Sequence, residues 1–353
     1  MSQQPQPADA REAHAHRPRL GVVGAGRVGA VLAAAWRSAG YDLVAVSGDS
    51  DASRSRAAAL LPGVEVAKPS VVARTCDVLV LAVPDDMLGN VARQLAGARA
   101  LDREPGAPRL TVAHLSGRHG LAVLAPARET GAATVALHPA MTFTGTALDL
   151  TRLAGCAFGV TADSASGPGS AAALAAELVA AVDGTVVPVA EAHRSLYHAA
   201  LAHGANHLVT LVAQACEMLA AAGADDPAAT LRPLLQAALG NALESGDSAL
   251  TGPIVRGDVE TVRAHVIELL DHQPLAVPSY VALARDTASR ATADGRLLPI
   301  RAAAVDRVLG LAEDSRRDLL IAGRAARTRL AEGPATGPAT GPAAGPAAGT
   351  DRS

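Results

Sequence analysis

Two groups of residues in this chain could do chemistry: a glycine-rich turn near the start and a scatter of imidazoles further on. The apolar run Leu20–Val23 leads straight into Gly24-Ala25-Gly26-Arg27-Val28-Gly29, and a helical segment, Ala30 to Ser38, follows. In that setting Gly24 permits a tight turn, and Gly26 lets the backbone approach a pyrophosphate. Gly29 lets the helix lie close against the strand. The N–H groups at the helix start, at Arg27 and Val28, then face the phosphates.

His138 follows the apolar segment Ala133–Leu137, at the tip of an expected strand. An imidazole titrating near pH 7 can donate a proton beside a carbonyl or imine being reduced, or it can orient the loop Met141–Gly145. Ser116 follows the segment Leu110–His114. It could hold a substrate oxygen or a nicotinamide amide, or close a turn before Gly117. His198, Ala202 and Asn206 recur at helical spacing and share one face, while His193 and Tyr197 share another. His198 and Asn206 serve either a ligand or hydrogen bonds between helices. In the loop Leu250–Asp258, Thr251 and Arg256 are candidates for substrate binding, although Arg256 could equally pair with Asp258. His203 and His207 have metal-ligand spacing but lack an obvious third ligand, so no metal is expected.

The elements that must position these residues alternate along the first half. A second strand, Asp42–Val46, ends at Ser47, where an NAD site usually carries an acid for the ribose hydroxyls. Ser47 followed by Arg54 and Arg56 favours a 2′-phosphate, hence NADP over NAD, with Asp49 or Asp51 left as a displaced acid. The strand Cys76–Asp85 brings Val83 and Pro84 to the same cleft. Further strands are expected at 110–114, 133–137, 156–161 and 185–189, with helices at 85–95 and 170–181. This alternation predicts an α/β fold with a doubly wound Rossmann-type parallel sheet over residues 18–189. Beyond Ala190 strand signals vanish. Helical segments at about 190–222, 227–244, 259–270, 275–293 and 299–330 predict an all-helical second domain, 190–330. Residues 1–17 and the Gly-Pro-Ala repeats of 331–353 lack the composition to pack.

Composition narrows the function classes. The chain has 353 residues and a net charge of −3, with no basic stripe for nucleic acid. The most apolar stretch, Ala199–Ala222, carries His203, Asn206, His207, Gln214 and Glu217, so it reads as a buried helix rather than a membrane span. The first 17 residues have no apolar core of a secretory signal. Cys76, Cys156 and Cys216 are scattered, which fits a reducing cytoplasm. Lys68 is the only lysine.

Five motifs together resemble one family: the turn at Gly24–Gly29, His-Leu-Ser-Gly at 114–117, the run from His138 to Gly145, the helix from Tyr197 to Leu208, and the loop from Leu250 to Asp258. They look like the bacterial Rossmann-like proteins that carry domain of unknown function 2520. Ala205 stands where that family often has a serine. Wider relatives include pyrroline-5-carboxylate reductase, prephenate dehydrogenase, ketopantoate reductase and deazaflavin-dependent NADP reductases. The resemblance implies an oxidoreductase acting on a small molecule, with a Rossmann domain beside a helical domain that forms a homodimer. Ketopantoate and 3-hydroxyacid enzymes of the superfamily use a helical-domain lysine. This chain has none after Lys68, so His138 or His198 would have to handle the proton at an interdomain cleft. A non-catalytic NADP sensor and a deazaflavin-linked reductase are the alternatives.

Overall fold

Short apolar runs in the first half become the strands of one sheet. The structure is a computed structural model that describes residues 17–163, 167 and 169–332. Apart from Arg17 and residues 331–332, the two segments read as unable to pack lie outside the described residues. The strands are β1 (Leu20–Val23), β2 (Leu43–Ser47), β3 (Glu65–Val66), β4 (Val78–Leu81), β5 (Thr111–His114), β6 (Ala133–Pro139), β7 (Ala157–Ala162) and β8 (Thr185–Pro188). They lie in the order β3-β2-β1-β4-β5-β6-β7-β8. Strand order reverses between β1 and β4, and such a switch point opens a crevice beyond the carboxyl ends of the strands.

Helices cover both faces, because alternate side chains of a strand point to opposite sides. Leu20, Val22, Val78 and Val80 pack with α1 (Arg27–Ser38), α2 (Asp51–Leu60) and a later helix, Ala171–Ala180. On the other face Val23, Leu79, Leu81 and Val112 pack with α3 (Pro69–Thr75), α4 (Asp85–Gly97) and α5 (Ala125–Glu129). The helix Ala171–Ala180 is α6, and the Trp36 indole of α1 donates to its Leu178 carbonyl at 2.9 Å.

The parallel sheet expected from the sequence needs one correction. β6 and β7 pair antiparallel, from Val135↔Ala162 to Pro139↔Phe158. A parallel pairing requires a crossover that returns the chain to the starting end of the sheet. The connection from Pro139 to Ala157 contains only a short 3-10 segment, Ala147–Arg152, so the chain turns back beside the strand it has just left.

After β8 the chain is helical: α7 (Arg194–Ala221), α8 (Pro227–Ser245), α9 (Pro253–Arg256), α10 (Val259–His272), α11 (Val277–Ala293) and α12 (Pro299–Glu332). The chain forms two compact units, Met1–Asn206 and His207–Ser353. This division falls within α7, whose first turn is anchored to the sheet, as described below. The core of the second unit is built by Val262, Val266, Val277, Val281, Val305 and Leu309 of α10, α11 and α12. By contrast, α7 buries only Arg194 and α8 only Leu231. Among the described residues, no helix is long and apolar enough to cross a membrane.

Candidate functional site

The glycine turn has the shape its spacing predicts. Gly24 has φ +106°, and a Cβ there would stand 2.5 Å from the Ala82 carbonyl oxygen. At Gly29 a Cβ would run into the Gly24 carbonyl, so the turn, the loop after β4 and α1 close on one another. Gly26 differs, since a Cβ there would meet no atom within 4 Å. Its side of the turn faces open space. α1 starts at Arg27, earlier than the expected Ala30. Gly26 is its N-cap, no side chain caps it, and its first turn has no acidic residue. The start of a helix leaves N–H groups at Arg27 and Val28 without intrahelical acceptors, and these favour an anion. The residues thus fit a phosphate-bearing dinucleotide.

Val83 and Pro84 stand where expected, after the carboxyl end of β4, with Pro84 as the N-cap of α4. Ser47 is the last residue of β2, beside the glycine turn. It is buried, and its Oγ accepts the Gly24 N–H at 3.2 Å, so it holds the glycine turn. Arg54 is also occupied. It pairs with Asp51 at 2.5 Å and donates to the Asp49 carbonyl at 2.6 Å. Arg56 and Arg27 both lie beside Gly145. A Cβ on Gly145 would lie 2.8 Å from both Arg27 Cγ and Arg56 Nε. The Gly145 loop is pinned by Asp149, fully buried, which accepts the Thr144 and Gly145 N–H groups at 2.8 and 2.7 Å. Burial opposes the charge on Asp149, but the bonds from Gly145 and Thr144 outweigh it and hold the carboxyl below its ordinary range.

The histidines gather at the carboxyl ends of β5 and β6, at the same end of the sheet as the glycine turn. His138 Nδ1 lies 3.0 Å from the Tyr197 hydroxyl, and the rings meet edge-on at 5.6 Å. The His198 ring stands 6.2 Å from that of His138, also edge-on. Gly117 fits between them: a Cβ would be 2.7 Å from His198 Cδ2 and 2.9 Å from His138 Nε2. Burial pushes His138 down to about 4, helped by the nearby charges of Arg194 and His198. The expectation that it titrates near pH 7 is therefore corrected; this imidazole is neutral under ordinary conditions. Burial raises the Tyr197 phenol, which keeps its proton.

Ser116 is nearly buried and acts in the turn. Its Oγ accepts the His119 N–H at 3.1 Å, and its own N–H donates to His114 Nδ1 at 3.1 Å. With Nδ1 accepting, His114 Nε2 carries the proton and donates to the Gly120 carbonyl at 2.9 Å. Asn206 is exposed, two turns beyond His198 on the same side of α7. Thr251 and Arg256 belong to the second unit. Thr251 lines a cavity of about 280 Å³ with Gln214, Ser279 and Tyr280, and Arg256 is exposed in the last turn of α9. Asp258 is an N-cap for α10, accepting from the Thr261 N–H and hydroxyl.

Sequence reasoning missed Arg194, the only buried residue of α7. Its guanidinium donates to the carbonyls of His119 at 2.9 Å, Gly159 at 3.0 Å and Ser116. It also stacks over the Tyr197 ring, 5.6 Å from its centre. The available signal was its spacing, one turn ahead of Tyr197 and His198.

The fold and this turn define a Rossmann-like protein with a helical second unit. Residues 1–139 match the model of the Rossmann-like domain, and residues 156–287 match that of the domain of unknown function DUF2520. The chain is thus a Rossmann-like protein carrying DUF2520. No protein among curated sequences matches it. Among solved structures it is similar to BF3122 of Bacteroides fragilis, provisionally named an NADP oxidoreductase, at 18% identity and TM-score 0.62, covering 77% of this chain and 98% of that one. It is also similar to protein TM1727 of Thermotoga maritima, at 21% identity and TM-score 0.53, covering 76% of this chain and 98% of that one. An imine reductase of Myxococcus stipitatus in complex with NADP+ shares 20% identity at TM-score 0.51, covering 84% of this chain and 95% of the other. Likeness at these identities establishes the fold.

Proposed function

We propose that the chain is an NADP-dependent oxidoreductase that passes hydride between the nicotinamide and a small carbonyl, imine or hydroxy-acid substrate. The observation that carries this reading is Gly26, open on its outer side at the uncapped start of α1, at the sheet end that also bears His138, His198 and Tyr197. NADP would supply the hydride chemistry. Arg27 and Val28 would hold the pyrophosphate, and Arg27 with Arg56 the 2′-phosphate, beside a Gly145 loop that Asp149 keeps in place. The fold shared with an imine reductase in complex with NADP+ supports the same class of reaction.

His138 would act as a neutral hydrogen-bond donor. The Tyr197 hydroxyl lies 3.0 Å from His138 Nδ1; with the phenol, which keeps its proton, donating there, Nε2 carries the imidazole proton. A neutral N–H can polarise a carbonyl or imine without the cost of charging a buried ring. His198 completes that wall, and Asn206, Thr251 and Arg256 remain candidates for substrate contact.

The exposed apolar side chains Leu196, Val209, Leu234 and Leu243 of α7 and α8 support a homodimer through these helices, since a monomer rarely leaves so much apolar helix surface in water. Three free cysteines, two of them buried, fit a reducing, cytoplasmic setting. The function is tested by following NADPH absorbance with the purified protein and a panel of cyclic imines, 2-oxo acids and aldehydes. Consumption that depends on both protein and one substrate class is expected; NADPH binding without consumption across the panel would contradict catalysis and leave a sensor.

A further inference from the structure

Arg194 is an unusual residue to bury. It is 1% exposed and forms no ion pair with a carboxylate among the described residues. A buried guanidinium without a counter-ion is expensive unless its donors are used in full. Here each of the three nitrogens donates to a backbone oxygen: Nε to His119, Nη1 to Gly159 and Nη2 to Ser116. The first and last acceptors bracket the 116–119 turn, where a Cβ on Gly117 would run into both His138 and His198. The middle one lies on β7 directly opposite His138 in the sheet register. The guanidinium carbon lies over the Tyr197 ring, 5.6 Å from its centre.

We propose that Arg194 is the positioning residue of this site: it clamps the β5 turn to β7 and to the first turn of α7, and so holds Tyr197, His138 and Gly117 in one fixed arrangement. The inference deepens the proposed function, because it rests on His138 facing the reacting group. Lysine could not replace it. A single ammonium lacks the planar fork that reaches three separate carbonyls.

The charge on Arg194 adds a second effect. Groups acting on His138 come from each neighbouring element: Arg194 and His198 of α7 and His114 of β5 disfavour its protonation, and Asp85 of α4 favours it. Removing the guanidinium takes away the largest of the opposing charges.

The test needs no substrate. In the full-length protein labelled with ¹⁵N-histidine, NMR reports the tautomer and titration midpoint of each ring. Wild type should show His138 as the Nε2–H tautomer with a midpoint near 4. In Arg194→Gln the midpoint should rise by about one pH unit. In Arg194→Lys, which keeps the charge but loses the clamp, the midpoint should stay low while the two tautomers mix. Either variant, folded by circular dichroism and showing wild-type tautomer and midpoint, overturns the proposal. So does failure of both to fold, which would make Arg194 a fold determinant alone. A wild-type Nδ1–H tautomer would instead strike the hydrogen-bond reading of His138, leaving the clamp to be judged by the variants' midpoints and tautomers.

Discussion

His138 Nδ1 lies 3.0 Å from the Tyr197 hydroxyl, joining the tip of β6 to the first turn of α7 as one polar unit. Each ring fixes the proton of the other, so neither should be replaceable by an isostere without the bond. Tyr197→Phe should lower turnover of an active imine or 2-oxo acid roughly 10-fold to 100-fold, with NADPH affinity unchanged within about twofold. Steady-state kinetics alongside direct binding checks this. Full activity in the phenylalanine variant would remove the pair from the chemistry.

One buried histidine, His114, and one half-buried, His138, make stability depend on acid. Burial pushes both His114 and His138 down to about 4 from the ordinary 6.5. The unfolded chain therefore binds more protons than the folded one between those values, and stability rises with pH across that window. The stabilisation is fully present above about pH 6.5 and is lost as pH falls towards 4. Each group contributes on the order of 3 kcal/mol at neutral pH. Urea unfolding at pH 7.5, 5.5 and 4.5 is expected, to about half a pH unit, to show that decline, with a shallower one in His114→Asn. An equal slope in the variant would contradict the assignment to His114.

The glycines of the opening turn should separate binding from stability. Gly26→Asp meets no atom and adds an N-cap side chain to α1, so the melting temperature should hold or rise, while NADPH affinity drops at least about 100-fold through charge repulsion. Gly29→Ala forces a methyl group into the Gly24 carbonyl and should cost about 1–3 kcal/mol. Arg56→Ala should weaken NADPH roughly tenfold and leave NADH untouched. Calorimetry and thermal melts on the three variants distinguish these outcomes, and a melting temperature for Gly29→Ala equal to wild type would contradict the packing described.

Leu243 is 80% exposed and Val209 is 71% exposed on helices that bury almost nothing else. If a second copy covers them, the wild type should sediment as a dimer, and Leu243→Asp with Val209→Asp should sediment as a monomer at micromolar concentration. A monomeric wild type would rule out the homodimer.

Much of this architecture could be read from the chain because local and tertiary preferences agree there. Apolar runs such as Val78–Leu81 are buried on both faces of the sheet, and the glycine spacing is dictated by contacts within one turn. The antiparallel β7 could not be read, since direction depends on how the loop after Pro139 returns. The hydrogen bond of Ser47 to the glycine turn was illegible for a similar reason: its place at the end of β2 is local, but the rotation of one hydroxyl towards Gly24 is set by tertiary packing. The position of His138 at a strand tip was legible, whereas its neutral state depends on burial and on Arg194, neither of which has a sequence pattern. Arg194 itself is hidden for the same cause. A surface arginine and a buried one look alike until the carbonyls around them are known.

The central claim is that a phosphorylated dinucleotide lies across the Gly24–Gly29 turn. Isothermal titration of the wild-type protein with NADPH and, separately, with NADH tests it most directly. The account predicts saturable heat with NADPH at micromolar concentration and binding of NADH at least about tenfold weaker. Absence of heat with both would contradict it.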